Sequence, residues 1–126
     1  MVSNESLRPK LRSDDEFVVL EGLAELGGLV DFAPANDVLD LAMEYFRYFD
    51  PEWRRQAVFS VAIHWAYAPA FPFLVELLEK EEDDDVLGTS IMAIERLGRS
   101  HERLRPDAIR VLKGIADARP RMRRER

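Results

Sequence analysis

The chain has 126 residues, enough for one domain with a real hydrophobic core and short for two. Apolar residues make up 47% and charged residues 33%, the balance of a folded soluble protein, and the absence of cysteine excludes disulfides, thiolate metal sites and a cysteine nucleophile. The formal charge is −6, but five of the 18 basic residues fall in the last eight positions, so residues 1–118 hold 13 basic against 23 acidic residues, a surplus of ten acids. Such a body repels phosphate backbones and attracts basic partners.

Helical periodicity runs along the chain, and no segment alternates apolar and polar residues as a half-buried strand does. Residues 1–13 are polar, lack the apolar core of a secretory signal, and are expected to form a flexible N-terminus. Helix-length segments follow at roughly 14–27, 36–49, 51–66, 70–82, 84–98 and 105–118, in a single domain over 14–118. Asn36-Asp37 stands where a cap is wanted. Asp50-Pro51-Glu52 reads as an N-cap, a proline at the first helical position and an acid at the positive end of the helix dipole. The run Asp83-Asp84-Asp85 can cap the next helix, and Gly27-Gly28 and Gly98 stand where C-terminal caps are expected. Pro106 suits a first turn, and residues 119–126 read as a basic flexible tail. The apolar stretch from Ala57 to Phe73 is broken by Ser60, His64, Pro69 and Pro72 and is too short to span a bilayer. No membrane segment is expected, and the cytoplasm is the default location.

The chain repeats itself at a shift of 33 residues. Val38, Leu41, Tyr45, Asp50, Trp53, Ala57, Ser60 and Val61 fall onto Phe71, Leu74, Leu78, Asp83, Val86, Ser90, Ala93 and Ile94. Eight matches in register over two helices indicate a duplicated helical hairpin. The pattern resembles HEAT repeats. Ala70-Phe71-Pro72-Phe73-Leu74-Val75-Glu76-Leu77-Leu78 is similar to their first helix, and Asp50-Pro51-Glu52-Trp53-Arg54-Arg55-Gln56-Ala57 to their aspartate-marked turn and second helix. Asp83 through Leu97-Gly98 repeats the latter, with Leu87 where the family has arginine. The resemblance implies an all-α, α-α superhelix of about six helices in two layers. One amphipathic hairpin cannot bury its apolar face alone, so neighbours must stack and share a core.

Chemistry is harder to find. His64 matches Leu97 in the 33-residue register and is expected to point into the packed side, whereas His101 is expected to be solvated beside Glu102. Neither histidine belongs to an H-E-x-x-H arrangement, and the acidic run Glu79 to Asp85 lacks the ligand spacing and central glycine of an EF-hand. No metal or cofactor is expected. Ser60, Thr89 and Ser90 lie at helix packing positions without a nucleophile elbow, and phosphate-binding and dinucleotide-binding glycine motifs are missing, so no catalytic residue is assigned and the chain reads as non-enzymatic.

The binding candidates fall in two groups. Glu81, Glu82, Asp84 and Asp85 form an anionic patch suited to a basic protein partner, with a solvated helix cap as the plain structural reading. Opposite the packed stripe of the second helices, Glu52, Arg55, Phe59, Met92 and Arg96 would share a concave face. Ten of the twelve aromatic residues lie between positions 45 and 73, and Trp65 and Tyr67, near a helix end, are candidate anchors. The reading is a monomeric protein-binding module, of the inhibitor or immunity type that neutralises a basic, nuclease-like effector or toxin. Two alternatives remain open: a general adaptor that binds through its aromatic cluster, and a nucleic-acid binder like the HEAT-like alkylation-repair glycosylases. The latter work through a basic groove, which an acidic body does not offer.

Overall fold

The computed structural model describes the backbone of residues 1–124 and the side chains of residues 1–118. Among these residues there are seven α-helices and no strand: α1 Asn4–Leu11, α2 Glu16–Gly28, α3 Asn36–Met43, α4 Pro51–Val58, α5 Phe71–Lys80, α6 Asp84–Ser100 and α7 Arg105–Arg124. Short 3-10 turns occur at Glu44–Arg47, Ala68–Ala70 and Glu102–Leu104, and α4 runs on as a π-helical segment, Phe59–His64.

The helices stack in two layers. α1 pairs with α2, α3 and its 3-10 turn with α4, and α5 with α6. The second members α2, α4 and α6 follow one another in contact, α1 and α3 adjoin in the other layer, and α7 packs on α6. The caps explain why the second helices begin where they do. Asp15 accepts from the Phe17 N–H, Asp50 from the Glu52 N–H, and Asp83 from the N–H groups of Asp85 and Val86. Each satisfies donors that the first helical turn leaves without a partner.

Four expectations need correction. Residues 1–13 are not a loose leader. Ser3 and Ser6 form a reciprocal capping box, and Leu7 and Leu11, one turn apart on α1, are fully buried in the core. Asn36 and Asp37 do not cap α3, whose N-cap is Ala35 without a side-chain bond. Asp37 instead receives a two-pronged bond from Arg8 of α1, at 2.6 and 3.0 Å. The glycines do not act as left-handed caps, because no glycine has positive φ among the described residues. A Cβ on Gly27 would stand 2.5 Å from Ser60 Oγ, and one on Gly98 would stand 2.8 Å from the Ala108 Cβ. These two positions let helices approach closely, Gly27 against the π-helical segment and Gly98 against α7. Finally, α7 carries its helical backbone past 118 to Arg124, over most of the stretch read as a tail, whose side chains lie outside the described residues.

The 33-residue repeat holds at the front of the second helices, where Trp53 and Val86, Ala57 and Ser90, and Val61 and Ile94 are all buried. It shifts at the back. His64 Nε2 donates to the Leu29 carbonyl at 2.6 Å, and His101 Nε2 donates to the Ala66 carbonyl at 2.6 Å. A carbonyl oxygen only accepts, so each ring carries its proton on Nε2. The structural counterpart of His64 is therefore His101, not Leu97, and α6 is about one turn longer than α4 with its π-helical end. His101 is half-buried rather than solvated. Ala66, whose carbonyl it holds, has φ of 46°, a left-handed conformation that costs an alanine about 1 kcal/mol.

Candidate functional site

The central seam, between the first and second hairpins, fixes the second-helix face. Four side chains reach back to backbone carbonyls on α2 and just beyond it. Trp53 Nε1 donates to Glu16 at 2.9 Å, Ser60 Oγ to Leu23 at 2.6 Å, Trp65 Nε1 to Leu26 at 2.8 Å, and His64 Nε2 to Leu29. The Leu26 and Leu29 carbonyls lie at the helix end, where backbone acceptors have no partner within the helix. Trp65 and Tyr67, expected as exposed anchors, are thus half-buried and tied internally. Trp65 caps α2, and the Tyr67 hydroxyl donates to Asp40 at 2.8 Å. Burial of its ring, with Asp40 alongside, pushes the Tyr67 phenol up to about 12.

What remains open on the second-helix face is a smaller set. Phe59 is 37% exposed and Met92 60% exposed. Phe59 stacks on His64 with ring centroids 6.5 Å apart. Arg96 is exposed and its Nε donates to the Ile63 carbonyl at 3.1 Å, so the α6 and π-helical stripes adjoin. Glu52 and Arg55 form an ion pair at 2.6 Å one turn before Phe59, and Asp85 lies near enough to help hold the Arg55 guanidinium charged. Glu52, Arg55 and Phe59 thus lie along α4 and its π-helical end, Met92 and Arg96 along the adjoining α6, and Trp65 packs on the same His64 ring that Phe59 stacks on.

The acidic group divides. Glu82, Asp84 and Asp85 are exposed at the start of α6. The Glu81 side chain is only 3% exposed. Arg54 Nε and Nη2 donate to its two oxygens at 2.7 and 2.8 Å, and the Asp83 N–H donates to it at 3.1 Å. Burial alone would raise its carboxyl; the bonds from Arg54 and the backbone outweigh this and hold it below the ordinary carboxylate range. Glu81 is a structural ion, so the anionic patch reduces to three acids.

The layer of first helices holds a feature absent from the expectations. α3 ends at Met43, and the 3-10 turn Glu44–Arg47 that continues it packs on α5. Here lies a groove of about 500 Å³ lined by Met43, Phe46, Tyr48, Phe49, Phe73 and Leu77 together with three acidic and three basic side chains. A second basin of about 340 Å³ shares Met43, Arg47 and Phe73 with it and adds Asp40 and Glu44. Phe49 is 73% exposed and Phe73 41% exposed. Both belong to the aromatic cluster between positions 45 and 73, but that density alone does not separate groove residues from core residues such as Phe46 and Phe71.

Among the described residues, no three His, Cys, Asp or Glu side chains are grouped as metal ligands, and no helix is long and apolar enough to cross a membrane. Comparison with family models, with curated proteins and with solved structures returned no match.

Proposed function

We propose that the chain is a non-catalytic protein-binding module that takes a basic partner against its second-helix face, in the manner of an inhibitor or immunity protein that blocks a nuclease-like effector or toxin. The observation that carries the reading is the exposure of Phe59 and Met92 on adjoining second helices whose first turns expose Glu52, Asp84 and Asp85. Two large apolar side chains on adjoining helices supply contact area, and these acids favour a partner of opposite sign. The ten-acid surplus of residues 1–118 supports the same polarity at longer range. The polar groups of Ser60, His64 and His101 are committed to backbone carbonyls, which favours binding over catalysis by these side chains.

Co-purification tests it. A complex of one chain with one basic protein, whose activity the chain suppresses, supports the reading. Reversing Glu82, Asp84 and Asp85 to lysine should weaken that complex by about 10-fold or more at low salt. A complex indifferent to the reversal would remove the acids from the account, and salt-sensitive binding of DNA by the intact chain would favour a nucleic-acid role instead.

A further inference from the structure

We propose that the groove between the 3-10 turn Glu44–Arg47 and α5 receives an arginine side chain of the basic partner. This rests on the protein-binding reading above and extends the partner's contact beyond the second-helix face into the first-helix layer, the two meeting at Glu82, which belongs to the acidic patch and also lines the groove. The chain already shows the geometry with a residue of its own. The Arg47 guanidinium stands over the Phe73 ring, 5.9 Å from its centroid, within the range in which a ring face attracts a cation. Arg47 is 68% exposed, with one bond to Glu76 at 3.3 Å, so a better-placed guanidinium can displace it. On the same groove the exposed Phe49 ring leans on Tyr48, with centroids 4.7 Å apart, which fixes its orientation.

Charge selects the sign of the guest. Arg54 and Glu81 neutralise one another, which leaves Asp40, Glu44, Glu76 and Glu82 around the two basins against Arg47 and Lys80. The groove itself is balanced, Glu76 and Glu82 against Arg47 and Lys80, and Asp40 and Glu44 of the adjoining basin supply the acid surplus that favours a cation over an anion. The groove favours arginine over lysine, because the planar guanidinium stacks on rings and sheds water more readily than an ammonium. A volume of about 500 Å³ holds that side chain and part of the segment that carries it.

The probe is an acetylated, amidated hexapeptide of alternating arginine and alanine, with lysine and glutamate counterparts, titrated into the full 15N-labelled chain. The arginine peptide is expected to shift the amides of Met43, Phe49, Phe73 and Leu77, to bind more tightly than the lysine peptide, and to leave the glutamate peptide without effect. Phe73→Leu, which keeps apolar bulk and removes the ring, should weaken arginine binding roughly 3-fold to 10-fold. Arg47→Ala should tighten it by vacating the ring face. Shifts confined to Asp84 and Asp85 would overturn the groove while leaving the protein-binding reading intact. No shift anywhere at millimolar peptide would overturn the groove as an arginine site, whereas loss of the protein-binding reading shows separately as failure to co-purify a basic protein. Equal affinity for arginine and lysine peptides, unchanged in Phe73→Leu, would also overturn the arginine site.

Discussion

Arg54 and Glu81 form a two-pronged ion pair across the seam between the second and third hairpins, and the Arg54 Nη1 also donates to the carbonyls of Tyr48 and Phe49 at 2.8 and 2.9 Å. One guanidinium thus holds together the turn that opens α4 and the turn that opens α6. Removing one partner strands the other charge. Glu81→Ala should destabilise the fold by about 3 kcal/mol in urea denaturation, and the paired replacement Arg54→Met/Glu81→Leu should recover much of that loss. The Glu81 carboxyl is held below its ordinary range in the fold. Its contribution is therefore complete above the unfolded value of about 4.3 and fades as pH falls through the lower, folded one, so the penalty of Glu81→Gln should shrink between about pH 7 and about pH 3.

Ser90 Oγ is buried without a hydrogen-bond partner, at the position that Ala57 fills in the preceding hairpin. Ser90→Ala should raise stability by about 1 kcal/mol, because it removes an unpaired polar group and leaves the backbone alone. A higher midpoint of thermal unfolding is the expected result.

Trp65→Phe keeps most of the ring and removes the N–H that caps Leu26. The expected cost is about 1 to 2 kcal/mol of folding stability, with partner affinity unchanged once unfolding is accounted for. Denaturation and binding measured on the same sample separate the two effects.

The Tyr67 phenol, raised to about 12 by burial beside Asp40, favours the neutral form in the fold. Its contribution is complete below the unfolded value of about 10 and is lost as pH climbs from there towards the folded value. Tyr67→Phe should therefore lose the fold less steeply than wild type over that alkaline window, followed by circular dichroism.

Much of the architecture is legible in the residues. Asp50-Pro51-Glu52 and the Asp83 run mark the second helices because capping is local chemistry, and the 33-residue register picks out pairs that are buried in both hairpins. α1 is hidden because its core contribution is two leucines set among Asn4, Glu5, Arg8, Pro9 and Lys10, and the capping box that starts it pairs Ser3 with Ser6 rather than with an acid. Glu81 reads as surface among its acidic neighbours because its partner lies 27 residues upstream. The Trp65 indole N–H and the His101 ring are likewise assigned only by which carbonyl stands opposite them. The groove at Phe49 and Phe73 follows from α3 giving way at Met43 to a short 3-10 turn against α5, a matter of packing rather than of local preference.

The central claim is that the second-helix face binds the partner, and isothermal titration of the co-purified basic protein against Phe59→Ala/Met92→Ala tests it most directly. Met92 stands mostly in solvent but Phe59 packs partly on His64, so the folded fraction of the variant is fixed by denaturation and affinities are compared on folded protein. The account predicts about a 10-fold or greater rise in Kd. An unchanged Kd with an intact fold would contradict it.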